Sequence, residues 1–412
     1  MKINRIKAEN FKSYKKLDIK LNNLNFIIGG NASGKSNYVN IFKFFNDIIY
    51  YGIDDAILLQ GGIKYLFNSN SSKSLSLLLY FEIDLEKEEK SIHKIFEQEK
   101  NLYLPNKLEY TIRIKPNEKG EGYKIIYEQI KIKFEQLNKS DEKVSVIDSY
   151  DLTVNKDSNG KISGNFDSKH RKKGEFLTLN YVEHFIKRGG NLLNNFFSAF
   201  GIFYRYDGKI KIYNFDVNLL KSPSNIVARS ELEENGSNLV NIIQQLLKNK
   251  TKKEKLNKIV KIILPFIDDI KIENNINKSV FFKVKESYSK KEFPSYMLSD
   301  GTVNILAIII ALYFQDDNEI IILEEPEKNI HPKMLSVLVS ILSDVSDKKQ
   351  IFVTTHNPFI IKEAKLEDII LVSRTDNGIS EISKPCEDSK IKSFLENDLG
   401  IEDLFVDGIL KW

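Results

Sequence analysis

The spacing of hydrophobic and polar positions changes along this chain, and the changes mark its elements. Leu17, Ile19 and Leu21 alternate with Lys16, Asp18 and Lys20, the period of a half-buried strand. Asn25, Phe26, Ile27 and Ile28 form a short apolar strand that runs straight into glycine. Val39, Ile41, Phe42 and Phe45 then fall on one side of a helix. Residues 74–84, rich in leucine and aromatics, predict another strand. Between residues 105 and 155 the period is two again. Tyr110-Thr111-Ile112-Arg113-Ile114 and Ile130-Lys131-Ile132-Lys133-Phe134 alternate, with Gly120 and Gly122 marking a turn, so this stretch predicts antiparallel β structure. Residues 157–173 are polar and rich in Gly, Ser and Lys and predict a loop; residues 176–200 predict helix. Leu239, Ile242, Ile243, Leu246 and Leu247 recur at the spacing of an amphipathic helix. Residues 303–314 are apolar nearly all round, which predicts a buried helix. Residues 320–323, 351–354 and 369–372 are short continuous apolar runs with helix-like stretches between them. That order predicts a largely parallel sheet covered on both faces. No heptad pattern is sustained, so no long coiled coil is expected, and no internal repeat is visible.

Composition narrows the class. The 412 residues suffice for two or three domains, and 42% hydrophobic with 29% charged residues is ordinary for a soluble globular protein. A formal net charge of +4 is a weak lean on this length; it leaves a local nucleic-acid surface open without demanding one. The single cysteine, Cys386, excludes an internal disulfide framework and a Cys-rich zinc site. No apolar stretch follows the N-terminal Met1-Lys2-Ile3-Asn4-Arg5. The longest wholly apolar run, residues 305–314, is about ten residues where a membrane span needs about twenty. A cytoplasmic protein without membrane partners is expected.

The chemistry begins at Gly29-Gly30-Asn31-Ala32-Ser33-Gly34-Lys35-Ser36, which matches G-x-x-x-x-G-K-[ST] in full between a strand and a helix. Glycines let backbone N–H groups turn inward around phosphates, and the helix N-terminus adds its positive dipole end. Lys35 would reach the β- and γ-phosphates of ATP and the Ser36 hydroxyl would ligate Mg²⁺. Ile320-Ile321-Ile322-Leu323 ends in Glu324-Glu325-Pro326, a buried strand delivering carboxylates at its edge. Glu324 would hold Mg²⁺, directly or through water, and Glu325 would orient or deprotonate the attacking water. Glu324 stands where most P-loop proteins have Asp.

Leu298-Ser299-Asp300-Gly301-Thr302 precedes the buried helix. Ser299 and Asp300 suit an ordinary N-cap, or a signature segment facing a γ-phosphate held by a second subunit. Thr354-Thr355-His356-Asn357-Pro358 follows the strand after the carboxylates, an order that suits His356 as a switch histidine on the γ-phosphate or the water. Gln60 is a poor candidate for a metal-side glutamine, because the next strand begins about fourteen residues later, where Ser74 and Ser76 are the polar residues at its edge. His93, His170 and His184 have no partners at ligand spacing, so no zinc site is expected. The basic runs at 169–173 and 252–255 read as solvated faces, with nucleic-acid contact as the alternative.

Together these residues resemble the ABC-type ATPase heads of the RecF, chromosome-maintenance (SMC) and OLD group. They look most like the stand-alone prokaryotic AAA-family ATPases of phage-defence operons, of the PtuA or AriA kind. The resemblance rests further on Ile6-Lys7-Ala8-Glu9-Asn10-Phe11-Lys12-Ser13-Tyr14, on Asn37 after the P-loop serine, on Glu324-Glu325-Pro326-Glu327 running to His331-Pro332, and on Asn235-Gly236-Ser237-Asn238-Leu239. It covers residues 1–85 and 200–412.

It implies an α/β P-loop head: a mostly parallel sheet flanked by helices, an antiparallel β arm, and a compact, helical insert. The expected division is 1–160 for a first ATPase lobe, 161–235 for the insert in place of a coiled coil, and 236–412 for a second lobe. The implied activity is hydrolysis of ATP with Mg²⁺ by a homodimer that forms on ATP. Residues 29–37 would bind nucleotide, Ser36 and Glu324 metal, Glu325 and His356 would act in catalysis, and Ser299, Asp300 and Gly301 would act in trans. About fifty residues follow His356, too few for the nuclease domain of OLD enzymes, so a nuclease or toxin would be a separate partner. A RecF-like DNA-binding ATPase and a non-catalytic ATP-dependent scaffold remain the alternatives.

Overall fold

The computed structural model describes the chain apart from residues 69–75, 86–100, 118–121, 141–142, 168–190, 201–209, 226–230, 275–278, 316–318, 397–399 and 407–412. The chain opens with β1 (Lys2–Phe11), β2 (Tyr14–Lys20) and β3 (Leu24–Ile28), followed by the helix α1 (Lys35–Tyr51). Next come β4 (Leu77–Asp84), β5 (Asn101–Pro116), β6 (Tyr123–Ser140), β7 (Lys143–Asp157), β8 (Ile162–Asp167) and β9 (Ile210–Tyr213). A small antiparallel sheet holds β10 (Ser224–Asn225), β11 (Ile267–Asn274), β12 (Ser279–Glu286) and β13 (Glu292–Pro294). The chain then returns to the main sheet with β14 (Ile320–Glu324), β15 (Gln350–Thr355), β16 (Ile369–Arg374) and β17 (Ser380–Ser383).

The main sheet is continuous, in the order β8-β7-β6-β5-β4-β1-β2-β17-β16-β3-β15-β14-β9. Its two halves differ in direction. From β16 through β3, β15 and β14 to β9 every neighbour is parallel. From β2 through β1 and β4 to β8 every neighbour is antiparallel. The continuous apolar runs form the parallel half because both of their faces are covered. Ile320 and Ile322 join the core on one face with α1, while Ile321 and Leu323 join the core on the other. Phe352 likewise faces one core, and Ile351 and Val353 the other. The antiparallel arm instead alternates buried and half-buried residues, as β4 does along its length, because one face packs and the other is partly wet.

On the first face, Phe45 of α1 stacks on Phe81 of β4 at 4.0 Å, and its neighbour Phe42 meets Phe352 of β15 at 4.6 Å. The second face carries the helices Leu239–Lys248, Asp300–Tyr313 and Leu335–Ser346. The helix predicted at 303–314 is buried along almost its whole length, as its unbroken apolar sequence requires. No helix among the described residues is long and apolar enough to cross a membrane.

The sequence expectations meet one difference here. The loop expected over 157–173 contains β8, which pairs antiparallel with β7 after a tight turn in which Asp157 N donates to Lys161 O at 3.0 Å. Its Gly and Ser content hid the strand, which borrows its order from the β7 edge. Of the stretch expected as an insert, 161–235, the described strands β8 and β9 lie in the main sheet and β10 in the small one. The helix Leu192–Phe200 packs Leu192, Leu193 and Phe196 into the first core, and β9 pairs parallel with β14. The expectations resting on Ser74, His93, Gly120, His170, His184 and the basic run 169–173 lie outside the described residues.

Candidate nucleotide site

Parallel pairing decides what meets at the edge of this sheet. β15 lies between β3 and β14, with Ile28 opposite Thr355 and Glu324 opposite Thr354. The loop after β3, the carboxylates after β14 and His356 after β15 therefore emerge side by side, at the C-terminal edge where open α/β sheets bind ligands.

The loop 29–34 is braced from behind. The Gly34 carbonyl accepts from the Tyr14 hydroxyl at 3.1 Å, and Arg374 Nη1 donates to Ala32 O at 2.9 Å. Ser380 Oγ holds Ser33 O at 2.6 Å and Ser13 Oγ at 2.8 Å, while Asn37 Nδ2 donates to the same Ser13 oxygen at 2.8 Å. Ala32 has φ 62° and Gly34 φ 121°, the left-handed turns that bend the loop into a cradle. Lys35 curls back, Nζ donating to Gly29 O at 2.7 Å and Gly30 O at 3.0 Å. Burial lowers its pKa, and the carboxylates of Glu325 and Glu327 oppose that fall. Asn31 and Ser36 are exposed.

Glu325 sits at φ 46°, unusual for a residue with a side chain. Its N–H is held by Thr354, through O at 2.9 Å and Oγ1 at 3.2 Å, which fixes the turn. The carboxylate then lies between two cations or donors: Oε1 is 3.2 Å from His356 Nδ1 and Oε2 is 3.1 Å from Lys328 Nζ. Burial pushes its pKa up, but Lys328, His356 and Lys35 together pull it further down, so the carboxyl titrates below its ordinary range. Glu324 goes the other way: burial, then the nearby Glu234 carboxylate, raise it. Ser36 and Glu324 offer a hydroxyl and one carboxylate. That sparse set of hard oxygen donors fits Mg²⁺, which takes one or two protein ligands and draws the rest from phosphates and water.

An open cavity of about 580 Å³ adjoins the loop, lined in part by Lys12, Ser13, Asn37, Lys64, Tyr65 and Arg374. Ser299, Asp300 and Gly301 lie at the start of the helix Asp300–Tyr313. Ser299 Oγ caps the helix Asp300–Tyr313 by accepting from Thr302 N at 3.2 Å, and Asp300 pairs with Lys221. Their link to the site runs through Asn304, whose Nδ2 donates to Pro326 O at 3.1 Å and Lys328 O at 2.8 Å. A β-carbon on Gly301 would lie 2.7 Å from Asn329 O, so this glycine lets the helix approach the loop after β14.

Gln60 is buried and hydrogen-bonds Asp47. His331 caps the short turn Pro332–Met334, its Nδ1 accepting from Lys333 N at 3.3 Å. The basic run 252–255 lies on the helix Lys250–Ile263, where Lys252 and Lys255 are exposed.

A family model described as an AAA ATPase domain matches residues 1–361. The chain belongs to the AAA ATPase domain family. The chain is also similar to the Septu protein PtuA of Bacillus mycoides (strain KBAB4), with 31% identity over 134 residues. That match spans 30% of this chain and 18% of that protein's length. Among solved structures, the Smc head bound to the C-winged helix domain of ScpA covers 93% of this ATPase-family chain and 98% of its own, at 14% identity and a TM-score of 0.49. The SMC head domain from Thermotoga maritima covers 93% and 99%, at 12% identity and a TM-score of 0.46. The residues that sequence reasoning passed over in this AAA-family site are Lys328, Arg374 and Ser380. Arg374 and Ser380 carry no local signal, since they reach the loop only through the sheet order.

Proposed function

We propose that this ATPase-family chain binds ATP with Mg²⁺ at residues 29–37, hydrolyses it, and couples the cycle to a partner effector in defence against phage or plasmids. The observation that carries the hydrolytic part is the Glu325–His356 pair, 3.2 Å apart at the sheet edge beside the phosphate loop. Lys35 exchanges the Gly29 and Gly30 carbonyls for the β- and γ-phosphates, a swap of neutral acceptors for charged ones. The backbone N–H groups of Asn31 to Ser36 take up the remaining phosphate oxygens. Ser36 and Glu324 would hold Mg²⁺, which when bound would neutralise charge developing on the phosphates. Glu325, kept ionised by Lys328 and His356, orients the attacking water and accepts its proton. His356 donates towards the γ-phosphate. The cavity lined by Lys12, Asn37 and Tyr65 takes the ribose and base.

A second copy of the chain closes the outer side of the γ-phosphate with Ser299, Asp300 and Gly301, supported by the dipole of the helix behind them. The likeness to PtuA supports the defence role, and a nuclease or toxin is the effector class in view. The test of nucleotide binding is Lys35→Ala. Calorimetry with ATP should show binding abolished, since the phosphates lose their main counter-charge. Affinity unchanged within about twofold would remove the phosphate-loop assignment.

A further inference from the structure

Glu327 is the most deeply buried acid of its loop, only 7% exposed. Its Oε1 accepts from the Thr355 hydroxyl at 2.5 Å. That hydroxyl also accepts the Asn357 N–H at 3.0 Å. A hydroxyl has one hydrogen to give, so the two bonds fix its direction: it receives from Asn357 and donates to Glu327. Thr355 is fully buried and ends β15, with His356 directly after it. Glu327 lies two residues beyond Glu325. The bond therefore ties the backbone that carries Glu325 to the backbone that carries His356. It works beside the two bonds from Glu325 N to Thr354, and Asn304 holds the same loop from the helix side. The other carboxyl oxygen, Oε2, is buried with no hydrogen-bond partner among the described residues. Burial raises the pKa of this acid, with the Thr355 bond opposing in part. A group so placed serves by its fixed acceptor rather than by exposure to substrate.

We propose that Glu327 is a positioning residue: through Thr355 it sets the separation of Glu325 and His356. The proposal rests on the hydrolytic roles given to that pair. Thr355→Val removes the hydroxyl while keeping the branched shape, and Thr355→Ser keeps the hydroxyl. Displacing reacting groups by a fraction of an ångström to an ångström costs roughly 10- to 100-fold in rate, so kcat of Thr355→Val should fall by that factor. KM and ATP affinity should stay within about twofold, because the phosphate loop is untouched, and Thr355→Ser should recover most of kcat.

A merely structural bolt would lower stability and affinity together and leave no split between kcat and KM. Amide hydrogen exchange gives a second readout that needs no turnover. In Thr355→Val, exchange should quicken across residues 325–330, on the far side of the bond, as well as at 356–357. If the wild-type chain bound ATP without turning it over, the hydrolytic reading would fail while the exchange result still decided the positioning. Unchanged exchange across 325–330, or a kcat of Thr355→Val within about twofold of wild type in an active enzyme, would overturn the proposal.

Discussion

Gly34 meets two constraints at once. Its φ of 121° lies where side chains are strained, and a β-carbon there would run into the Ser380 side chain. Ser380 cannot step aside, because its Oγ holds Ser33 O at 2.6 Å and Ser13 Oγ at 2.8 Å. Gly34→Ala should therefore cost ~1–3 kcal/mol in backbone strain and deform the loop enough to abolish ATP binding. Urea unfolding and ATP calorimetry on the same sample measure both, and an unchanged affinity would show that the loop has slack. The glycine itself was legible from motif spacing. Its reason was not, since Ser380 stands 347 residues from its acceptor Ser33. Glu325 shows the same division. Two acids after an apolar run announce a carboxylate edge, but the left-handed turn at φ 46° that aims Glu325 between Lys328 and His356 is set by Thr354, on another strand.

At the level of elements, the long runs declared themselves and the short ones did not. β3, β14 and β15 were readable because continuous apolar sequence of strand length needs cover on both faces. β9 has four residues and β17 four, too few for a period to stand out, and each is a strand because of its neighbour. The helix Leu192–Phe200 is positioned by a buried acid that no pattern announced. Glu128 of β6 accepts from Leu192 N at 2.8 Å and from the Tyr110 hydroxyl at 3.1 Å, with no exposure to solvent. Burial raises its pKa to about 7, against the pull of Leu192 N–H and Lys156.

The sign of the linkage follows. The folded state holds this proton more tightly than the unfolded chain, whose Glu titrates near ~4.3. Its contribution to stability is thus fully present below ~4.3 and is lost as pH rises through about 7. Glu128→Gln, which keeps the acceptor oxygen, cannot ionise. Its stability relative to wild type should climb between about pH 4.5 and 7 and then level off, as measured by denaturant unfolding across that range. A difference independent of pH would mean that Glu128 stays ionised in the fold.

Across the whole molecule, one sheet carries both a parallel block that assembles the site and an antiparallel arm that braces it through α1. Ser299 and Asp300 lie exposed at a helix start. If the site is completed by a second copy, mixing Ser299→Arg with Lys35→Ala should restore ATPase activity from two inactive proteins. One heterodimer site then has an intact loop from the first chain and an intact Ser299 from the second. Subunits shown to be folded and exchanging, with no recovery at any ratio, would leave residues 298–302 as a capped helix start. The more basic claim is that the Glu325–His356 edge hydrolyses what the loop binds. Hydrolysis of saturating ATP with Mg²⁺ by Glu325→Gln tests it most directly. The account predicts ATP affinity close to wild type and a hydrolysis rate ~10²–10⁴-fold lower, because the amide cannot accept the proton from water. Hydrolysis at the wild-type rate would contradict it and move the base to another residue, Glu324 first.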